Sequence, residues 1–279
     1  MYPTYWDLND GKPTICAWPI GRPSKYTDHC LQLVYRLGLL PIARTNIPSS
    51  NFCLLHAQIK LISKCVSLFL YDPGMRSDCT LQDLRFTTHV INNLLYVSSQ
   101  RRLLYVTDST INGNRTATSH SFEHLSCFFP GLLALGAHLL PLNNLETIGI
   151  NITQLGDDLP SKYRQGYEAL AEFNLADLHI WAAEGIAQMC YLSYADQPSG
   201  LGPDVLLMRI GKPGEIRWMD AMRRWKADGQ LGPPPGVGDK RPWVANPKAK
   251  TVKEMQIDTI TRDYSIRNTA YYLRPEVRD

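Results

Sequence analysis

The chain lacks any Cys-X-X-Cys pair and any cysteine–histidine cluster at zinc-ligand spacing, although its 279 residues include seven cysteines (Cys16, Cys30, Cys53, Cys65, Cys79, Cys127 and Cys190). A structural metal site is therefore not expected. It also lacks a basic block. The formal net charge of +3 is spread along the chain, which gives no electrostatic ground for nucleic acid or an anionic membrane surface as a partner. No apolar run is fit to cross a bilayer, because the most apolar window, Phe52 to Leu70, carries Lys60 and Lys64 in its middle. The opening MYPTYWDLNDGKP has neither a basic start nor an apolar stretch, so no signal peptide is read there. The polypeptide as written reads as soluble, with its natural N-terminus expected elsewhere.

What is present is globular in character. With 44% apolar and 20% charged residues, a sizeable core can form in one large domain or two small ones. An odd number of cysteines leaves at least one thiol unpaired. Two sequons, Asn114-Arg115-Thr116 and Asn151-Ile152-Thr153, would accept N-linked glycans if the chain entered the secretory lumen.

Residues 1 to 80 show no steady hydrophobic period. From Leu81 the pattern sharpens: Leu84, Thr87, Ile91, Leu94 and Leu95 recur at three- and four-residue spacing and predict an amphipathic helix ending near Val97. Leu103 to Val106 reads as a short strand, and Thr107 to His120 as a polar loop. A helix is predicted from His124 or Pro130 to His138, since proline is tolerated in a first turn. Asp158-Leu159-Pro160-Ser161 reads as a helix start, and Leu175, Leu178, Ala182, Ile186, Met189 and Ser193 trace a long helix to about Tyr194. Gly229 to Pro242, rich in glycine and proline, reads as an exposed linker-like loop, and Trp243 to Thr269 is polar and mixed.

Two motifs stand out against this background. In SFEHLSCFFPGLLALG, Ser121 to Gly136, an acidic residue and a histidine precede a cysteine and an apolar helix. Near the end of the chain stands Leu273-Arg274-Pro275-Glu276. Together they resemble glycoside hydrolase family 47, the class I α-1,2-mannosidases, and most closely its fungal members. The resemblance runs over roughly Met1 to Thr14 and Leu81 to Glu276. It implies an all-α fold, part of an (α/α)7 toroid of helical hairpins with an irregular N-terminal region and a few short strands. One incomplete domain then spans residues 1 to 279, with 1–80 matching poorly and 81–276 well.

Carried over residue by residue, the resemblance implies that Glu276 is the general base. An inverting glycosidase needs one carboxylate to activate water and a second acid to reach the glycosidic oxygen. Read without the resemblance, Glu276 is a solvated carboxylate in a first helical turn. Asp204 closes Gly200-Leu201-Gly202-Pro203-Asp204, similar to the family's glycine-leucine-X-proline-glutamate turn, which makes it a second catalytic candidate one methylene short; alternatively it is a turn or N-cap aspartate. Glu123, His124 and Arg274 are the implied substrate-binding residues, with a satisfied structural role open for His124. Cys127 and Cys190 look like the half-cystines that family members join; otherwise they are ordinary buried thiols.

The implied reaction is calcium-dependent, inverting hydrolysis of terminal α-1,2-linked mannose from high-mannose N-glycans in the endoplasmic reticulum or Golgi lumen. Departures from the family pattern bear on it. Where the family has a glycine-X-X-alanine-aspartate-serine motif, this chain reads Ile20-Gly21-Arg22-Pro23-Ser24-Lys25-Tyr26, with Ser24 about where the aspartate belongs. Residues 15 to 75 read more like intronic sequence than a diverged helix. The family's acid glutamate would lie upstream of the chain and its calcium-ligating threonine beyond Asp279, so no metal ligand is assigned here. The expectation is a chain without hydrolytic activity. A non-catalytic protein that binds high-mannose glycans and a truncated gene product without function are the alternatives.

Overall fold

The computed structural model describes residues 76–112, 115–157, 159, 161–211, 214, 216–243 and 262–270. Five α-helices and seven short strands lie among them: α1 Arg76–Asn93, β1 Leu95–Val97, β2 Leu104–Val106, β3 Ser109–Asn112, β4 Arg115–Thr118, β5 Ser121–Glu123, α2 Phe129–Leu139, α3 Ser161–Ala171, α4 Leu175–Ala195, β6 Val205–Met208, α5 Trp218–Ala227 and β7 Tyr264–Asn268. Helices supply most of the core, with the strands grouped into small antiparallel sheets. The described residues contain no closed ring of helical hairpins.

Several elements fall where hydrophobic spacing puts them. The long helix α4 runs from Leu175 to Ala195 behind an Asn174 N-cap, whose side chain accepts from the Asp177 N–H. Its buried face, Leu178, Ala182, Ile186 and Met189, packs against α2 and β2. Gly185 lets β2 approach, because a Cβ there would stand 2.7 Å from the Leu104 side chain. In the segment from Ser121 to Gly136 the α-helix proper begins at Phe129, with Pro130 in its first turn, and a 3-10 turn His124–Phe128 precedes it.

Three sequence expectations are corrected. Helix α1 ends at Asn93, not near Val97, because Leu95-Tyr96-Val97 is β-rich and pairs with Leu104–Val106. Thr107 to His120 is not merely a loop: Ser109–Asn112 and Arg115–Thr118 pair as a hairpin. Its threonine-rich strands carry no apolar alternation to announce them. Gly229 to Pro242 is no free linker. The Trp218 indole donates to the Pro235 carbonyl at 2.7 Å, Gln188 Nε2 donates to the Lys240 carbonyl at 3.3 Å, and Val237 is buried. Fully buried Trp218 needs an acceptor for its N–H, and this loop supplies one.

Two features bind the helical layer. A disulfide joins Cys127, ahead of α2, to Cys190 on α4 across a sequence separation of 63. Further along α4 in the helical core, Asp83 of α1 and His179 of α4 are buried, 4% and 2% exposed, with Oδ2 and Nε2 4.0 Å apart. Neither of these atoms has a hydrogen-bond partner. Burial pushes the Asp83 carboxyl up to about 7 and pulls the His179 imidazole down to about 4. From about pH 4 to 7 the two therefore stand as a neutral pair rather than an ion pair.

Two predictions follow from this core. Replacing Cys127 and Cys190 by alanine lowers unfolding stability by about 4 kcal/mol in the loop-entropy account, read by denaturant titration. For the buried pair, the folded state holds more protons than the unfolded chain at Asp83 between about pH 3.8 and 7, so stability falls there as pH rises. At His179 it holds fewer between about pH 4 and 6.5, so stability rises there. The slopes oppose one another in the native chain. Thermal melts of Asp83→Asn across that range show Tm rising with pH, and those of His179→Gln show it falling; parallel curves for both variants contradict the neutral pair.

Candidate functional site

A three-stranded antiparallel sheet, ordered β5-β6-β7, gathers residues from three distant parts of the chain. Ser121, Phe122 and Glu123 face Leu207, Leu206 and Val205, and β6 pairs in turn with β7. A register shift between Val205 and Leu206 brings Val205 opposite Asn268. At this end of the sheet stands Asp204. Its carbonyl accepts the His124 N–H at 2.8 Å, and its own N–H donates to the Ala270 carbonyl at 3.0 Å. Its carboxylate accepts Asn268 Nδ2 at 3.2 Å. One residue thus ties together the end of β5, the start of β6 and the exit of β7.

Glu123, the last residue of β5, is half-buried and lies in register with Val205, next to Asp204. His124 follows and is 3% exposed. Its Nε2 is hydrogen-bonded to the Tyr194 hydroxyl on the last turn of α4, and the two rings meet edge-on with centroids 5.3 Å apart. The imidazole is thus engaged within the protein. The turn before β6 is built around the same tyrosine. A Cβ on Gly202 would stand 2.7 Å from the Tyr194 ring, so glycine is required for the chain to reach Asp204 along this path.

At the other end of this sheet, where β7 begins, lies a charged clasp that the sequence did not reveal. Arg101, in the β1–β2 turn, places Nη1 and Nη2 on the two Asp196 oxygens at 3.0 and 2.8 Å, and Nε on Asp263 at 2.8 Å. Both carboxylates are fully buried. The Gln100 and Arg101 N–H groups also donate to Asp263, and the Trp243 N–H and the Tyr264 hydroxyl donate to Asp196. Burial works against the Arg101 charge, but bonds and charge from Asp196 and Asp263 outweigh it and raise its pKa. The Tyr264 hydroxyl is pushed far up, by burial first and then by the Asp196 charge, so it stays protonated and donating. Asp263 sits at φ 71°, a left-handed conformation that aspartate tolerates better than most residues. No local motif marks these positions.

Of the residues singled out in the sequence, the fold brings together Glu123, His124 and Asp204. Cys127, three residues beyond His124, is fixed to α4 by its disulfide. Arg274 and Glu276 lie outside the described residues, as does Ser24. Among the described residues no three His, Cys, Asp or Glu side chains gather into a group able to hold a metal. Glu123 and Asp204 alone do not fit calcium, which takes about six to eight oxygen ligands. No described helix is long and apolar enough to cross a membrane.

The model of glycosyl hydrolase family 47 matches residues 81–279. The chain belongs to glycosyl hydrolase family 47. The matched stretch of this family 47 chain contains every candidate site residue named above except Ser24, and all the elements described except the first turns of α1. The chemistry of that family is glycoside hydrolysis. No curated protein matches the chain.

Gly202→Ala tests how the site is held. A methyl group there collides with the Tyr194 ring, and overpacking of this kind costs about 1–3 kcal/mol. The variant is expected to melt earlier and to show altered chemical shifts at His124. An unchanged His124 spectrum would separate the turn from the histidine.

Proposed function

We propose that this family 47 chain recognises terminal α-1,2-linked mannose of high-mannose N-glycans with Glu123, Asp204, Arg274 and Glu276, in the manner of the class I, fungal-type α-mannosidases. The observation that carries the reading is the meeting of Glu123, His124 and Asp204 at one end of the β5-β6-β7 sheet. Ala270, bonded to Asp204, lies six residues before Glu276 (276 − 270 = 6), which is no more than about 22 Å of extended chain. Chain length therefore does not keep Glu276 from approaching Asp204.

The division of labour follows from the chemistry of inversion. By resemblance Glu276 is the family's base, the group that in a hydrolysing member accepts a proton from the water attacking the anomeric carbon from the face opposite the leaving oxygen; in residues 1–279 it serves binding. Asp204, oriented by Asn268, accepts hydrogen bonds from sugar hydroxyls. His124 acts through Tyr194, to whose hydroxyl it is hydrogen-bonded. Calcium is the cation that the family resemblance implies, and the described carboxylates alone would not hold it. The compartment that suits this reading is the secretory lumen, where N-glycans are found and where a disulfide such as Cys127–Cys190 persists.

Within this reading residues 1–279 bind the glycan without turning it over. Ser24, about where the family has an aspartate, cannot act as a carboxylate, and Asp204 is one methylene shorter than the family's glutamate. Calorimetry with a Man9 glycan in calcium buffer is expected to show binding that weakens about tenfold or more in Asp204→Ala, the scale of a charged hydrogen bond. Chromatography of the same mixture is expected to show no free mannose. Release of mannose overturns the binding-only assignment, and undetectable binding overturns the site.

A further inference from the structure

We propose that Asn151 is an N-glycosylation site of this protein, a role that rests on the luminal reading above. The chain holds two sequons. Asn114 of the first lies outside the described residues. The second, Asn151-Ile152-Thr153, falls on the connection between two 3-10 turns, Leu145–Ile148 and Thr153–Gly156. Buried Ile150 anchors the segment from one side and half-buried Ile152 packs against the core, while Asn151 and Thr153 both face solvent.

The hydrogen bonds sort the two ends of the Asn151 amide. Its Oδ1 accepts from the Thr153 N–H at 3.1 Å and from the Thr153 hydroxyl at 2.8 Å. Its Nδ2, the atom that would carry the sugar, makes no hydrogen bond among the described residues. Asn92 shows the opposite arrangement: its Nδ2 donates to the Thr88 and Gly166 carbonyls at 2.8 and 3.2 Å, so a substituent there would break contacts between α1 and α3. At Asn151 a glycan breaks none. The amide oxygen survives glycosylation as an acceptor, so the Thr153 turn persists beneath the sugar.

In the modification, a lipid-linked oligosaccharide pyrophosphate supplies the glycan. Asn151 Nδ2 forms a bond to the anomeric carbon, the bond from that carbon to the pyrophosphate oxygen breaks with its electron pair, and the amide gives up one proton. The lipid pyrophosphate leaves. No redox partner is needed. The threonine at the third position, with its hydroxyl already on the acceptor amide, and the absence of proline at Ile152 meet the sequence requirement.

The test uses the full chain expressed in a eukaryotic cell behind a cleavable secretion signal, with lumenal entry checked by protease protection. Enzymatic deglycosylation in heavy-oxygen water converts each occupied asparagine to labelled aspartate, which peptide mass spectrometry locates. The label is expected at Asn151. It should vanish in Asn151→Gln and Thr153→Ala and remain in Thr153→Ser. Asn151→Asp, which keeps an acceptor for Thr153, should be recovered in equal yield without label, separating loss of the acceptor from loss of the fold. A chain that has entered the lumen and carries label only at Asn114, or at neither asparagine, overturns the proposal. The readout does not depend on mannose binding or release. Label at Asn151 in a chain that binds no Man9 glycan therefore supports this site while counting against the mannose-binding reading.

Discussion

Arg101 is the constraint on which the candidate site depends. It spans Asp196, at the end of α4, and Asp263, at the start of β7, and lies itself in the turn joining β1 to β2. A buried carboxylate is tolerable only when its charge is met and its oxygens are hydrogen-bonded. Here one guanidinium fork and several backbone N–H groups do both for two carboxylates. The position of β7 follows from that, and with it the place of Asn268 and Ala270 against Asp204. Lysine would bring a point charge without the fork and would leave part of this arrangement unpaired.

The helical core carries a different kind of polar burial. Asp83 and His179 sit close enough to interact and yet are held neutral by their surroundings, which is the opposite solution to that of the clasp. The contrast lies in partners. Asp196 and Asp263 receive donors from several directions, whereas Asp83 Oδ2 and both His179 ring nitrogens receive none. Burial without such donors is what shifts Asp83 and His179 toward their neutral forms.

The fold was legible where burial repeats along a helix. The face Leu178-Ala182-Ile186-Met189 announced α4, and Ser121 to Gly136 announced α2 but not the strand Ser121–Glu123 or the 3-10 turn His124–Phe128; the half-cystine Cys127 came from the family resemblance. It was opaque where local sequence competes with tertiary pairing. Leu94 and Leu95 extend the helical period of α1, yet Leu95 leaves the helix because Val106 waits opposite it in β2. The clasp could not be read at all, since Arg101 and Asp263 lie 162 residues apart and nothing in their neighbourhoods marks them as partners. Tyr194 is a similar case: only the fold reveals that it joins His124 to the glycine turn. For Asp204 the motif indicated the residue, and the sheet supplied its neighbours.

The sheet that carries these residues has a kinetic consequence. Its strands begin at Ser121, Val205 and Tyr264, so each pairing closes a long loop before any contact rewards it. The helices can form from local contacts, but the end of the sheet holding Glu123 and Asp204 cannot exist until both closures are complete. Whatever this end of the sheet recognises is therefore acquired with those two long-range pairings and not from local contacts alone.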